Sequence, residues 1–210
     1  MSITLRRKAP CAILTVHDKE YHVERIGRGR YTTAWRNGAA CVWLQVHEKD
    51  LSKDALADCP SNPHLPKCER FDWFDGSTPF RLYREPLYQP LMASAKTAWR
   101  DYKALAFLWN NARIAEMNKF TWRDPRTISA RTSDFNRTFD DMVASSPHVP
   151  ETLRDAVEIL VRAAADYGDY RIEITKKNCA VGAEGQLILL DPLFDAAEVA
   201  RAWDARIKKS

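Results

Sequence analysis

The sequence predicts an α+β protein with a strand-rich first part and a mainly helical second part. Short apolar or alternating runs, typical of strands, recur over the first 85 residues. Beyond residue 93, apolar side chains recur instead at the spacing of an amphipathic helix. Apolar residues make up 45% of the 210-residue chain and charged residues 29%, which excludes disordered and collagen-like polymers.

In the first part, the strand-like runs lie between turn and loop signals. Asn37-Gly38 is a hairpin turn signal, and Pro60 ends a short charged segment that predicts a helix within residues 48–58. The predicted strands span residues 12–16, 21–26, 39–46, 67–73 and 80–84.

The second part is dominated by two predicted helices. One spans residues 95–117, and the other begins at Pro150, a residue favoured in the first turn, and presents one apolar stripe. A buried strand is predicted over residues 186–190 and a short final helix over 196–209, whereas the polar segment 121–149 gives no clear prediction.

Charge and cysteine content narrow the functional classes. With 32 Lys and Arg against 28 Asp and Glu, the net charge is +4 and is spread along the chain, so nucleic acid is not an expected partner. No apolar run is long enough to span a membrane, and no apolar segment of a secretory signal follows the basic start. Five irregularly spaced cysteines indicate reduced thiols and a cytoplasmic protein.

A glycine-rich segment precedes the third predicted strand. It reads Ile26-Gly27-Arg28-Gly29-Arg30-Tyr31-Thr32-Thr33-Ala34-Trp35. Glycines let backbone amides approach phosphate groups without obstruction by a Cβ atom. Two glycines one residue apart also suit an ordinary tight turn, and at this point both interpretations are open.

Three polar residues near the C-terminal end have a specific spacing. Glu173 precedes Asn178 by five residues, and Asn178 precedes Asp191, at the end of the strand predicted over 186–190, by thirteen. An acid, an amide and a second carboxylate in the order loop, hairpin and strand end form a metal and hydroxyl site for phosphoryl transfer.

In these motifs the chain resembles the protein kinases, whose catalytic loop and D-F-G element have the same spacing downstream of a Gly-rich loop. It is most similar to the small early protein kinases of short-tailed lytic bacteriophages, which also read Asp-Pro in place of D-F-G. The resemblance covers roughly residues 20–200. It implies a minimal, truncated, two-lobed kinase-like fold as one domain, with an N-lobe over 1–84, a hinge over 85–92 and a C-lobe over 93–210.

The resemblance also implies roles for individual residues, with ATP and Mg²⁺ as cofactors. Glu173, Asn178 and Asp191 are the implied catalytic residues, and Asn178 and Asp191 also hold the metal. The implied nucleotide-binding residues are Gly27, Arg28, Gly29, Arg30 and Gln45.

The sequence departs from the kinase pattern at several of these positions. Gln45 stands where the phosphate-pairing strand lysine belongs, and Asp54 or Asp58 replaces the usual helix glutamate. Arg171-Ile172-Glu173 replaces His-Arg-Asp, and the part after Asp191 lacks the usual activation segment. Arg28 or Arg30 either substitutes for the lysine or is a solvated hairpin charge.

Two functions follow as expectations. The first is a kinase that transfers the γ-phosphoryl group of ATP to Ser or Thr of host proteins in the host cytosol. The alternative is a pseudokinase that acts as a binding scaffold or inhibitor of a host protein, although an aminoglycoside-type phosphotransferase is also compatible. A weaker possibility is a zinc site, suggested by the spacing of Cys59, His64 and Cys68.

Overall fold

The fold is α+β, with an antiparallel sheet and several helices. The computed structural model describes residues 3–8, 11–29, 31–71, 80–119, 128–167 and 170–198. The chain divides into two compact units. Unit 1 comprises Met1–Asp58 and Pro66–Leu87, and unit 2 comprises Cys59–Leu65 and Tyr88–Ser210. The single kinase-like domain with a hinge over residues 85–92 stays a prediction.

Unit 1 contains a seven-stranded antiparallel sheet and one short helix, α1 (Ser52–Asp58). The strands lie in the order β1-β2-β3-β4-β5-β7-β6. Their bounds are β1 Ile3–Lys8, β2 Cys11–Val16, β3 Lys19–Arg28, β4 Thr32–Asn37, β5 Cys41–His47, β6 Glu69–Phe71 and β7 Phe80–Pro86.

The turns of this sheet explain its local register. His17 and Asp18 both have positive φ angles, 49° and 63°, and form the two-residue turn of the β2–β3 hairpin. Gly38 has a φ of 56° and follows Asn37, which confirms the hairpin turn predicted there between β4 and β5. Strands β1 and β4 were not predicted from the sequence.

The two faces of the sheet carry different apolar clusters. The larger cluster joins residues of six strands: Ile3, Ala12, Leu14, Val16, Val23, Trp35, Trp43 and Leu82. On the opposite face, Leu44, Val46 and Tyr83 form a second cluster, against which Ala57 of α1 packs. Helix α1 therefore covers the face that Trp43 does not occupy, because neighbouring residues of a strand point to opposite faces.

Unit 2 contains three long helices: α2 (Lys96–Lys119), α3 (Ile128–Ala144) and α4 (Glu151–Asp166). The predicted helices over 95–117 and after Pro150 are confirmed as α2 and α4, and α3 occupies part of the segment that gave no clear prediction. Of the predicted final helix, residues 196–198 are helical and the rest lie outside the described residues. The buried side chains that the helices contribute include Leu105, Ala112, Phe135, Phe139, Leu153 and Leu160.

Short strands in unit 2 frame the predicted catalytic segment. They are β8 (Gln89–Pro90), β9 (Tyr170–Ile172), β10 (Cys179–Val181), β11 (Leu187–Leu189) and β12 (Leu193–Asp195). Strand β9 pairs with β12, and β10 pairs with both β11 and β8, all antiparallel. None of the helices in the described ranges is long and apolar enough to cross a membrane.

Candidate functional site

The strand pairs of unit 2 bring Glu173, Asn178 and Asp191 to one place. Glu173 follows the end of β9, and Asn178 ends a 3-10 turn, Lys176–Asn178, that leads into β10. Asp191 lies between β11 and β12. Because β9 pairs with β12 and β10 pairs with β11, the loop after β9 lies beside the loop before β12.

Hydrogen bonds fix this arrangement directly. The Asn178 Nδ2 atom donates to Glu173 Oε2 at 2.6 Å. The Asn178 backbone oxygen accepts from the backbone amides of Leu190 at 2.9 Å and Asp191 at 3.2 Å, and the Glu173 amide donates to the Pro192 oxygen at 2.8 Å. The three residues that the sequence singled out for catalysis are therefore joined within unit 2.

The bond to Glu173 determines which Asn178 atom remains available. An ionised carboxylate only accepts hydrogen bonds, so the amide nitrogen must face it and the amide oxygen Oδ1 points elsewhere. Oδ1 has no hydrogen-bond partner within the part of the chain that the structure describes. Glu173 and Asn178 are half-buried and Asp191 is exposed, so the site is open to solvent.

One face of helix α2 supports strand β9, which leads into the loop that carries Glu173. Tyr102, Trp109 and Glu116 are spaced by seven residues, or about two helical turns, and so share one face of α2. The Trp109 Nε1 atom donates to the Ile172 oxygen at 2.9 Å, and Glu116 holds both guanidinium nitrogens of Arg171 at 2.9 and 2.7 Å. Arg171 thus serves as an anchor of β9.

The first turns of α2 contact the 3-10 turn. The Lys176 ammonium group lies 5.5 Å from the centre of the Trp99 ring, within cation–π range. Burial raises the pKa of the Tyr102 hydroxyl, the nearby Cys179 thiol adds to the rise, and a hydrogen bond with the Lys176 backbone opposes it. These aromatic residues therefore fix the turn that carries Asn178.

Asn136 of α3 is a structural residue of the site that sequence reasoning missed. Its Nδ2 atom donates to the Tyr170 oxygen at 2.9 Å, and its Oδ1 atom accepts from the Ile172 amide at 3.1 Å. The side chain therefore satisfies one backbone group at each end of β9. A polar residue in a helix ordinarily predicts a solvated position, and only the apolar neighbours Phe135 and Phe139 hint at burial.

In unit 1, the glycine-rich segment is the hairpin between β3 and β4. Gly27 and Arg28 lie in β3, the Gly29 amide donates to the Thr32 oxygen at 2.7 Å, and the predicted site residue Arg30 lies outside the described residues. Neither glycine has a positive φ, and an added Cβ would meet only ordinary contacts, at 3.9 Å for Gly27 and 3.7 Å for Gly29. The hairpin itself therefore does not require glycine at either position.

Cross-strand register places Arg28 and Gln45 on the same face of the sheet. Arg28 pairs with Thr33, Thr33 with Gln45, and Gln45 with Leu82. Directly opposed residues of antiparallel strands share a face, so Arg28 lies two strands, or about 10 Å, from Gln45. Arg28 is exposed, whereas Gln45 is buried at 4% exposure.

The carboxylate of helix α1 lies on the opposite face. Asp54 Oδ1 accepts from the Tyr83 hydroxyl at 2.7 Å and from Arg70 at 3.1 Å, and its Oδ2 atom forms an ion pair with Arg81. The neighbouring Lys53 forms a buried ion pair with Glu85 at 3.1 Å. Asp54 therefore pairs with Arg81 of β7 and Arg70 of β6. These contacts lie on one face of the sheet, and Gln45 of β5 lies on the other.

The possible zinc ligands have other partners. The His64 Nδ1 atom lies 2.8 Å from the Leu187 oxygen, and Nε2 lies 3.1 Å from the Thr152 hydroxyl, so both ring nitrogens are engaged within unit 2. Burial raises the pKa of the Cys68 thiol to about 12, which opposes the thiolate that zinc needs. No group of three metal-binding His, Cys, Asp or Glu residues occurs among the described residues.

A cavity of about 840 Å³ lies elsewhere in unit 1. Its walls come from β2, β3, β4, the β4–β5 turn and Leu87, and they include the ion-paired Arg36 and Glu24. Its described lining includes none of the predicted nucleotide-binding residues.

Comparisons with known proteins do not assign a family. Neither a scan against protein-family models nor a search of the curated proteins found a match for this chain.

Proposed function

We propose that this chain is a phage-type protein kinase-like phosphotransferase that moves the γ-phosphoryl group of ATP to Ser or Thr hydroxyls of host proteins. One observation supports the proposal above all others. Glu173, Asn178 and Asp191, chosen from sequence spacing alone, are joined by hydrogen bonds in unit 2. Residues chosen by their spacing are therefore neighbours in unit 2.

The donor set fits Mg²⁺. This cation prefers hard oxygen ligands and keeps several waters, so it commonly takes one or two protein ligands together with substrate phosphates. The Asn178 Oδ1 atom, which the bond to Glu173 leaves available, and the Asp191 carboxylate are ligands of that kind. When bound, the ion would neutralise part of the charge of the phosphate groups.

The other roles belong to the chain's own groups. Glu173 is the carboxylate that would orient the acceptor hydroxyl and take its proton, and its Oε1 atom has no hydrogen-bond partner among the described residues. The resemblance to the kinases further implies that Gly27 and Gly29 let the hairpin backbone approach phosphates and that Arg28 supplies positive charge. The fact that the hairpin does not itself require these glycines supports a ligand-related role.

The two-lobed kinase-like fold, the bacteriophage origin and the cytosolic site of action belong to the same proposal. They rest on the motif resemblance, which also makes host proteins the expected acceptors. The departure at Gln45 indicates a specialised or weak catalyst, because a neutral amide cannot offset phosphate charge as a lysine does.

The test combines nucleotide binding with phosphotransfer. We expect the wild-type chain to bind ATP more tightly with Mg²⁺ than without it, and Asp191→Ala to remove that gain while the melting temperature stays near wild type, because Asp191 is exposed. Asp155→Ala is the matched control, since Asp155 is an exposed aspartate of α4. If Asp191→Ala keeps the full Mg²⁺-dependent affinity, the metal role is wrong.

Phosphotransfer provides the second arm of this test. Loss of a positioned general base typically costs about 10²–10⁴ in rate, so Glu173→Gln should lower phosphorylation by that factor, as followed by mass spectrometry. Equal phosphorylation by wild type and Glu173→Gln would show that Glu173 has no catalytic role.

A pseudokinase scaffold is the alternative, and a surface of helix α2 favours it. Phe107, Ile114 and Met117 are 65%, 52% and 67% exposed, an unusual set of apolar side chains to leave in water. If the chain binds ATP but transfers no phosphate, and aspartate substitutions at these three positions remove its effect on the host, the scaffold function replaces the kinase function.

A further inference from the structure

One side of helix α2 presents apolar side chains to solvent. Phe107, Ile114 and Met117 are each more than half exposed, and Asn110, which lies among them, is exposed as well. Successive members of this set are three or four residues apart, so the four side chains form one row, about 15 Å long, which we call the α2 row. A row with this spacing is what the apolar side chains of a second helix pack against.

The opposite side of α2 is already used within unit 2. Ala98, Leu105 and Ala112 are fully buried and recur every seven residues, or about two helical turns. Phe107 and Ile114 follow Leu105 and Ala112 by two residues, which is a rotation of about 200° around the helix. The α2 row therefore faces away from the core of unit 2 and does not contribute to it.

The exposed charges beside the α2 row are positive. Lys103 lies one helical turn before Phe107, and Arg113 directly precedes Ile114. Both of these basic side chains are exposed. A partner that packs on the row therefore meets cations next to the apolar side chains.

The acids of α2 do not offset these cations. The helix contains two acidic residues, and both are engaged elsewhere. Asp101 is buried and accepts from the Arg100 guanidinium at 2.9 and 2.8 Å, and the half-buried Glu116 holds Arg171 of β9. Charge complementarity across an interface pairs positive with negative groups, so the complementary partner is acidic.

Asn110 distinguishes a protein partner from a lipid surface. Its Nδ2 atom donates to the Ala106 oxygen at 2.9 Å, and water can satisfy the remaining amide groups because the residue is exposed. In hydrocarbon those groups would be unsatisfied, whereas a seam between two helices accepts a single Asn, which fixes its register. A second copy of this chain is not complementary, because its own α2 row would bring further cations and no exposed acid of α2.

We propose that the α2 row docks an acidic amphipathic helix of a partner protein. The apolar side chains of that helix pack between Phe107, Ile114 and Met117, and its carboxylates pair with Lys103 and Arg113. Aromatic residues, Met and Arg are the types enriched at protein interfaces, which fits the composition of this surface. The surface uses none of the residues assigned to phosphotransfer, so docking does not depend on the proposed activity.

The test uses the full chain without nucleotide. A yeast-displayed library of random peptides of about 20 residues, or five to six helical turns, is selected for binding, and the enriched peptides are synthesised and titrated. We expect these peptides to be rich in Asp and Glu and to carry apolar residues three or four positions apart. Phe107→Asp/Ile114→Asp should weaken their binding about tenfold or more. Met92→Asp, at another exposed apolar residue of unit 2, is the control and should bind within about twofold of wild type.

A second pair of variants tests the charge of the partner. Lys103→Glu/Arg113→Glu should weaken the same peptides about tenfold at low ionic strength, and the loss should shrink at high salt because ions screen exposed charges. Arg137→Glu/Arg162→Glu is the matched control, since it reverses two exposed arginines of α3 and α4. All of the substituted side chains are exposed, so the melting temperatures should stay near that of the wild type.

Four results would overturn this assignment. The library yields no binders, or the enriched peptides are not acidic, or they bind Phe107→Asp/Ile114→Asp as tightly as the wild type. The fourth is loss of binding only together with a lower melting temperature in both double variants. Sedimentation with phosphatidylserine vesicles that the apolar variant abolishes would assign the row to a membrane instead, and a dimer of the isolated chain that this variant dissociates would assign it to a second copy.

Discussion

Lys53 and Glu85 form an ion pair of 3.1 Å in which the side chains are only 5% and 3% exposed. Each charge has lost most of its hydration, and the other charge compensates for that loss. Burial is also the main reason that the pKa of the nearby Cys68 thiol rises to about 12, and Glu85 raises this pKa further. The pair therefore lies in surroundings that penalise any unbalanced charge.

Removal of one partner should cost more than removal of both. We expect Lys53→Met to lower the free energy of unfolding by about 3–5 kcal/mol, because Glu85 is left buried and uncompensated. The double variant Lys53→Met/Glu85→Met should recover much of this loss in urea denaturation. Arg84→Met, which breaks an exposed pair with Glu69, is the control and should cost less than about 1 kcal/mol. A double variant no more stable than Lys53→Met would contradict the argument.

For individual residues, the sequence predicted the residues of the candidate site better than the buried polar residues that support the surrounding structure. Glu173, Asn178 and Asp191 follow a fixed spacing that reflects a loop, a hairpin and a strand end, so the chain itself encodes their proximity. Lys53 and Asn136 follow no such rule. Patterns of polarity predict solvated positions for both, and only the fold supplies the partners that allow their burial.

Among the elements, two hairpins of the sheet differ in what they require of their glycines. Gly38 has a φ of 56°, whereas Gly27 and Gly29 have backbone angles that any residue can adopt. Gly38→Ala should therefore lower stability by about 1 kcal/mol, because alanine is strained in the left-handed region. Gly29→Ala should leave stability within about 0.5 kcal/mol of wild type and weaken Mg²⁺–ATP binding. Urea denaturation and equilibrium binding measure the two effects, and unchanged binding in Gly29→Ala would remove the glycine role.

The position of Gln45 in strand β5 determines how a lysine substituted there would affect stability and phosphotransfer. Gln45 pairs with Leu82, a member of the cluster that contains Trp43, and lies on the face opposite helix α1. Gln45→Lys would bury an ammonium group there, so we expect a loss of several kcal/mol in stability and no gain in phosphotransfer. Arg28→Gln should instead weaken Mg²⁺–ATP binding, because Arg28 is the exposed cation of the same cross-strand row.

Arg36→Gln is the control for the Arg28 variant, since Arg36 is ion-paired with Glu24. Both variants remove one exposed arginine, so a loss of affinity specific to Arg28→Gln would not come from net charge. A rise in phosphotransfer on Gln45→Lys would show that a lysine at this buried position does act on the nucleotide.

The elements that the sequence missed have physical explanations. Strand β4 begins inside the glycine-rich segment, where the glycines indicate a turn, and its strand conformation comes from pairing with β3 and β5. Strand β1 carries three consecutive basic residues that hide its alternation, and its pairing with β2 defines it. Helix α3 was obscured by polar residues such as Asn136, which is buried by contact with β9.

For the whole molecule, the α+β class followed from the change in periodicity near residue 93, since strand and helix periods differ clearly. The sequence pattern did not reveal that the loop Cys59–Leu65 belongs to unit 2. Its anchors are specific hydrogen bonds, from Asn62 to the Thr152 oxygen at 2.9 Å and from the Leu189 amide to the His64 oxygen at 2.8 Å. Such long-range bonds depend on the complete fold.

Two thiols with raised pKa values make the stability of the whole chain sensitive to alkaline pH. Burial raises the pKa of Cys68 and of Cys179 from 9.0 to about 12, and burial also raises the pKa of Tyr83. Below pH 9, the thiols are protonated in both the folded and the unfolded state, and their contribution to stability is fully present. Between pH 9 and 12, the unfolded state releases protons that the folded state retains, so this contribution is progressively lost.

We therefore expect the free energy of unfolding to fall above pH 9 by up to about 1.4 kcal/mol per pH unit for each thiol, as measured by urea denaturation at pH 8.0, 9.5 and 10.5. The double variant Cys68→Ala/Cys179→Ala should be less stable than wild type at pH 8.0, because it loses buried sulfur atoms, but its stability should fall less steeply with pH. Cys11→Ala, which changes an exposed thiol, should retain the wild-type slope. Equal slopes in the wild type and the double variant would mean that these thiols ionise as readily in the folded state as in the unfolded state.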